Sequence, residues 1–309
     1  MNRKTVGSIF AAFAVALILA SPSACAGTDR NGRIAFIKGS DVYSVAPDGS
    51  EVRQLTRLGP DQFAELPSWE PDDDQLVYTV RLPDVPRQLW IMNADGGNQH
   101  RLLDDPAYGN TAGAFSPDGK IVIFSRCDMQ GACAIYQVRI DGTGLKALTS
   151  PQPGIMDSSP EYSPSGLMIA FERRWKGGYY VLLMDRDGSN IHRLTPRDAS
   201  AQNPVWSPDG SRIAFSCRCD STGTSGIWVI DCDGAGLTRL TYVHAMDALT
   251  AVDHLFPSWS PGGNFLAVEE HAPGSDPKVV VVNLTQHGLR NQRAKQLLLG
   301  RQPSWSQAP

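Results

Sequence analysis

Four things are missing from this 309-residue chain, and each absence removes a class of function. It has no run of basic residues, and its 28 Lys and Arg are outnumbered by 32 Asp and Glu, for a net charge of −4. That balance argues against a nucleic-acid partner. Beyond its N-terminus it has no apolar run long enough to cross a bilayer. It has no G-x-S-x-G elbow, no glycine-rich phosphate loop and no nucleophile–base pair, so it offers no catalytic constellation. It also lacks the spaced carboxylates of a calcium loop, although Asp-Gly turns are frequent.

The one long apolar stretch stands at the start. Arg3 and Lys4 precede an apolar core from Ser8 to Ala20, and Ala24-Cys25-Ala26 has the small-residue pattern of a cleavage site. Residues 1–26 are therefore expected to be a signal peptide, with a short linker at 27–32 and a single folded domain over 33–309. Lipid attachment at Cys25 is the alternative to cleavage, although the branched apolar residue usual three places upstream is absent. On either route the chain is expected to be exported, periplasmic or extracellular, with no transmembrane segment once the leader is gone. Export permits disulfides. Cys127 and Cys133 flank the short loop 128–132, where a hairpin sets its two ends side by side, so a disulfide is expected between them. Cys217, Cys219 and Cys232 leave one pair and one free thiol, with the pairing open. A zinc site from these three is disfavoured, because Cys-Arg-Cys lacks the usual two-residue gap and has no His near it in sequence.

What is present is a repeat. Turn phrases begin at Pro67, Ala112, Pro160, Pro204, Pro257 and Pro303, at intervals of 44 to 53 residues. The fullest copy runs PVWSPDGSRIAF from Pro204, then IWVIDCDG from Ile227, then Thr238-Arg239-Leu240-Thr241. Short apolar runs bounded by Pro, Gly and Asp read as strands in hairpins, and repeats of this length built from them indicate propeller blades. Each unit is read as four antiparallel strands, A to D, with A at the P-x-W-S segment. The first unit lacks strand A and begins at Arg33-Ile34-Ala35-Phe36, while the last has strand A alone, Pro303 to Ser306. Joined, they give six blades, with both ends of the chain in one blade. Trp69, Trp206, Trp259 and Trp305, with Phe115 and Tyr162 in the same slot, are expected to pack between neighbouring blades.

These residues resemble the TolB-like propeller family, with its WD40-like PD40 repeats: a W-S-P-D-G turn, an I-A-F strand and a D-G…L-T ending. The resemblance spans about Arg33 to Ser306. It implies an all-β, six-bladed propeller of four-stranded antiparallel blades. It also implies a periplasmic role through protein–protein contacts. The TolB protein carries an additional N-terminal α/β domain, and no counterpart is expected here, because the first repeat follows the leader within a few residues.

Strand direction sorts the loops onto two faces. The A–B and C–D turns share one face and are short and repeated, whereas the B–C and D–A loops share the other and hold what varies, so a site is expected there. Trp175 stands in the B–C loop sequence Arg173-Arg174-Trp175-Lys176, an aromatic among cations that suits a contact with a protein or a sugar ring. Arg81, Arg87, Arg126 and Arg218 lie in the other B–C loops and are expected to complete a basic arc with Arg173, Arg174 and Lys176. Glu65, Asn110, Asp157, Gln202, Asn203 and His254 precede the A strands and are expected at the channel mouth. His244, Asp247, Asp253 and His254 in the fifth D–A loop, with His271 beside Glu269 and Glu270, are the candidate ligands of a divalent metal. The main expectation is a monomeric, non-enzymatic binding scaffold without a cofactor, whose partner is an envelope protein or polysaccharide. Two alternatives stand beside it. One is a propeller polysaccharide lyase with a His-bound metal, like the oligogalacturonate lyases. The other is an accessory or sensor module acting with a separate enzyme.

Overall fold

The computed structural model describes residues 32–150, 152–220, 223–241, 252–285 and 295–307, with backbone alone for 295–297. These residues form 24 β-strands and no helix. The first sheet joins β1 (Ile34–Lys38), β2 (Asp41–Val45) and β3 (Arg53–Gln54) to the last strand, β24 (Arg301–Trp305), which pairs antiparallel with β1 through Ile34↔Trp305 and Ala35↔Ser304. The second comprises β4 (Phe63–Trp69), β5 (Gln75–Leu82), β6 (Val85–Asn93) and β7 (His100–Arg101). The third unit, β8 (Gly109–Phe115), β9 (Ile121–Cys127), β10 (Cys133–Arg139) and β11 (Lys146–Ala147), meets the fourth, β12 (Ile155–Tyr162), β13 (Met168–Trp175), β14 (Gly178–Asp185) and β15 (His192–Arg193). A single parallel pair, Cys133↔Met156, links these two units. The fifth contains β16 (Ala201–Trp206), β17 (Arg212–Cys217), β18 (Gly226–Asp231) and β19 (Thr238–Arg239). The sixth contains β20 (Asp253–Trp259), β21 (Phe265–His271), β22 (Lys278–Asn283) and β23 (Lys295–Leu299). The strand β23 is one the sequence reading did not find, since no Asp-Gly turn introduces it.

The repeated residues have identifiable structural tasks. Trp69, Phe115, Tyr162, Trp206, Trp259 and Trp305 are all buried. Each sits in its own apolar cluster, built from the strands of its unit and of the unit before. Trp206, for example, packs with Ala170 and Leu183 on one side and Ile213 on the other, and Trp305 with Val279 and Ile34. The threonine of the Leu-Thr ending accepts a strand C N–H: Val42 to Thr56 (2.9 Å), Ile135 to Thr149 (2.9 Å), Val181 to Thr195 (3.1 Å) and Ile227 to Thr241 (2.9 Å). That bond continues the sheet where the short fourth strand stops.

Each inner strand breaks its register at one place. Leu66, Ala112, Ser159, Asn203, Phe256 and Gln302 all have φ between 48° and 54°, the left-handed region that side chains with a Cβ avoid. Such a residue costs about 1–2 kcal/mol. Side chains of a neighbouring unit hold several of these N–H groups in place. Thr79 accepts from Ala112 (3.2 Å), Glu172 from Asn203 (3.1 Å), Ser216 from Phe256 (3.1 Å), Glu269 from Gln302 (2.7 Å) and the Gln302 amide oxygen from Leu66 (2.9 Å). Each inner strand touches the inner strand of the next unit, and β24 touches β4. Residues of all six line one cavity of about 140 Å³.

Candidate functional site

The expected basic arc resolves into ion pairs. Glu65 takes the Nε of Arg81 on one carboxylate oxygen and the Nε of Arg87 on the other, both at 2.8 Å. Arg126 is buried, donates to Asn110 Oδ1 (3.1 Å) and to Asp105, and lies 3.9 Å from the Tyr108 ring centre. Arg173 grips Asp157 with Nε (2.6 Å) and Nη2 (2.8 Å). Arg218 reaches Asp253 at 3.4 Å and Ser225 Oγ at 3.2 Å. Two of these pairs follow from register, because Asn110 stands opposite Arg126 and Asp157 opposite Arg173 on adjacent strands.

Arg174 and Lys176 are different. Both are exposed, and neither enters an ion pair among the described residues. They flank Trp175, which is 44% exposed. Lys176 Nζ lies 4.7 Å from the Trp175 ring centre, and the Arg174 guanidinium 5.8 Å from that of Tyr179. The hairpin tip explains the display. Trp175 pairs with Gly178, and the two residues between them, Lys176 and Gly177, have φ of 50° and 81°. Two positive φ values in a two-residue loop match the twist of the strands and leave the tip clear of the sheet.

Beside this tip lies a groove of about 650 Å³. Arg174, Lys176, Gly177 and Met156 line one side of it; Asp128, Gln130 and Ala132 line the other. The second wall is the third-unit hairpin end, held by the Cys127–Cys133 disulfide and by Asp128 Oδ1, which accepts the N–H groups of Gln130 and Ala132, both at 2.9 Å. Met129, at the tip of the same loop, is 72% exposed. The second disulfide joins Cys217 to Cys219 and leaves Cys232 free and exposed.

Several expected site residues are placed elsewhere. Asn110, Asp157 and His254 are buried rather than lining the channel mouth. They stand two residues before the left-handed position, whereas the half-exposed Glu65 and Gln202 stand one before it and Asn203 occupies it. Strand alternation turns the earlier position into the blade. Of the metal candidates, His244 and Asp247 lie outside the described residues. Asp253 accepts the Ser225 N–H at 2.6 Å, His254 Nε2 lies 3.6 Å from Glu270, and His271 bonds Glu269. The His254 partner holds the Glu270 carboxyl below its ordinary range. The described residues bring together no group of three or more His, Cys, Asp or Glu suited to a metal.

One residue of note was missed. Glu161 lines the channel and accepts the Trp206 N–H at 2.6 Å. Burial pushes its carboxyl up to about 8, against the smaller opposing effect of that bond. Aligning the six P-x-aromatic phrases reveals it, since Ser68, Ala114, Val205, Ser258 and Ser304 fill the same column without a charge.

Comparison with known proteins places the fold. The family model described as PD40, TolB beta propeller domain, matches residues 143–307, more than half of the chain. An uncharacterised protein of Agrobacterium fabrum, Atu1656, is 28% identical over 187 residues, 57% of this chain and 61% of that protein. The Tol-Pal system protein TolB of Anaeromyxobacter dehalogenans is 29% identical over 163 residues, 51% of this chain and 36% of that protein. The crystal structure of TolB from Acinetobacter baumannii superposes with a TM-score of 0.73 at 22% identity, covering 89% of this chain and 66% of that one. The chain thus spans less than two thirds of the length of these relatives.

Proposed function

The chain belongs to the PD40 family, the TolB beta propeller domain, and on that premise we propose that it is an exported, non-enzymatic binding propeller of the cell envelope. The fold reading that accompanies this is a six-bladed monomeric ring, closed where β24 joins β1 in one blade. The contacts of each inner strand with the next support it. Export is supported by the leader-like N-terminus and by two disulfides, which belong to oxidising compartments.

One observation carries the binding surface. Among the B–C loops, Arg81, Arg87, Arg126, Arg173 and Arg218 meet carboxylates, whereas Arg174 and Lys176 have none among the described residues and flank an exposed tryptophan at the rim of the groove. Exposed Trp and Arg are the side chains that most often anchor a protein interface. The partner is an envelope protein or polymer that offers an acidic group to Arg174 and Lys176 and an apolar or sugar face to Trp175. The chain acts through this contact and needs no cofactor for it.

The test is direct binding to an envelope extract of the source organism, with a photo-crosslinking residue at position 129. One crosslinked partner is expected with the wild type. Yields should fall at least tenfold with Trp175→Ala and with Arg174→Ala, and hold with Leu167→Ala, an exposed residue in an A–B turn of the opposite face. Equal yields from all four proteins would refute the surface. Metal-dependent release of unsaturated uronate from pectin fragments would favour the lyase alternative instead.

A further inference from the structure

The channel has a separate chemistry at its other end. On the side of the A–B turns it opens into a vestibule of about 420 Å³, and beyond this lies an inner cavity of about 140 Å³. The vestibule is walled by the six buried aromatics of the inner strands, by prolines of the adjoining turns such as Pro71, Pro164 and Pro208, and by the uncharged polar side chains of Ser68, Ser163, Ser258, Ser304 and Gln307. Its size is that of a small-molecule site. Glu161 lines both cavities and therefore stands at their junction.

A carboxylate among such walls is costly unless a cation meets it. No cation does so from the described residues. From the inner strands the other titratable side chain in these linings is Tyr162, with Arg186 and Asp118 acting on it, and Glu70 follows Trp69 at the same end. Trp206 N–H occupies Oε2, and Oε1 has no partner among the described residues. The carboxyl therefore keeps its proton near neutral pH, held up to about 8 by burial.

We propose that Glu161 and the aromatic vestibule form a binding site for a small organic ammonium ion, its charge on Glu161 and its hydrocarbon against the ring of aromatics. The ion enters from the A–B face, so the site is independent of the groove. Binding releases the carboxyl proton, and affinity rises with pH until the carboxyl is ionised.

Calorimetric titration of the whole protein with benzyltrimethylammonium, whose charge does not titrate, tests this. Affinity is expected to rise on the order of 100-fold from pH 6 to pH 9, with roughly nine-tenths of a proton released per ligand at pH 7. Glu161→Gln should bind weakly and without pH dependence. Glu161→Ser should do the same and keep the fold, because Ser258 already accepts the Trp305 N–H from the equivalent position at 2.8 Å. Trp175→Ala should bind as the wild type does. No binding at pH 9, a pH-independent wild type, wild-type affinity in Glu161→Ser at pH 9, or loss of binding in Trp175→Ala would each overturn the proposal.

Discussion

Beside the B–C loops, Glu65, Asp105, Asp157 and Asp253 each stand against an arginine, whereas in the cavity on the A–B side Glu161 stands among aromatic, proline and uncharged polar side chains. The first arrangement uses charge to fix loops, because a pair whose members satisfy each other has little left for a partner. The second leaves a carboxyl whose proton is its own compensation. Charge count alone would rank the arginine-rich face as the more interactive. Pairing reverses that ranking at Arg81, Arg87, Arg126, Arg173 and Arg218, and Arg174 and Lys176 are the exceptions among the described B–C loops.

The sharpest way to break this contrast uses two neighbours. Arg173→Ala strands Asp157, which is 0% exposed, and should cost about 3–5 kcal/mol in a denaturant melt. Arg174→Ala, one residue on, should change stability by less than about 0.5 kcal/mol while it abolishes partner capture. Equal effects would mean that the two arginines do the same work. Next in size is the pH response of Glu161. Its folded value lies above the unfolded one, so the folded state binds more protons between the two and its stability falls as pH rises from about 4.5 to about 8. The decline should be at most about 5 kcal/mol, and Glu161→Gln should remove it from melts run across that window. Smallest is the paired replacement Cys127→Ser with Cys133→Ser. A short closed loop gives up about 2 kcal/mol in the chain-entropy picture. The loss should show in the melting curve and as faster hydrogen exchange at Gln130 and Ala132, while Arg173 keeps Asp157.

Much of the scaffold was legible because it is written repeatedly. Trp206 and its five equivalents share one column of the repeat, and each lies in a cluster between units. The Cys127–Cys133 bridge was legible because a hairpin loop of five residues leaves those two positions opposite each other. The ion pairs were not. Arg81 and Arg87 find Glu65 across strands, and composition shows the arginines without showing which carboxylates answer them. The channel register was misjudged for a related reason. A left-handed residue in the middle of each inner strand shifts the alternation, and nothing in Leu66, Ala112 or Phe256 announces a positive φ. Glu161 went unnoticed because its phrase, Pro160-Glu161-Tyr162, was read for its aromatic.

The pairing of β1 with β24 sets a schedule for the molecule. Ile34 meets Trp305, so the earliest strand of the domain waits for nearly the last residues to arrive. Contacts this distant in sequence form slowly, since the closing of a long loop comes before any reward for it. Until then the first sheet keeps an unpaired edge and the cluster around Ile34 and Phe36 lacks its tryptophan. In the proposed ring, a chain emerging N-terminus first is thus held open until β24 has been made. In the proposed ring β24 is the latch, and deletion of Arg301–Trp305 should produce long-lived, protease-sensitive molecules.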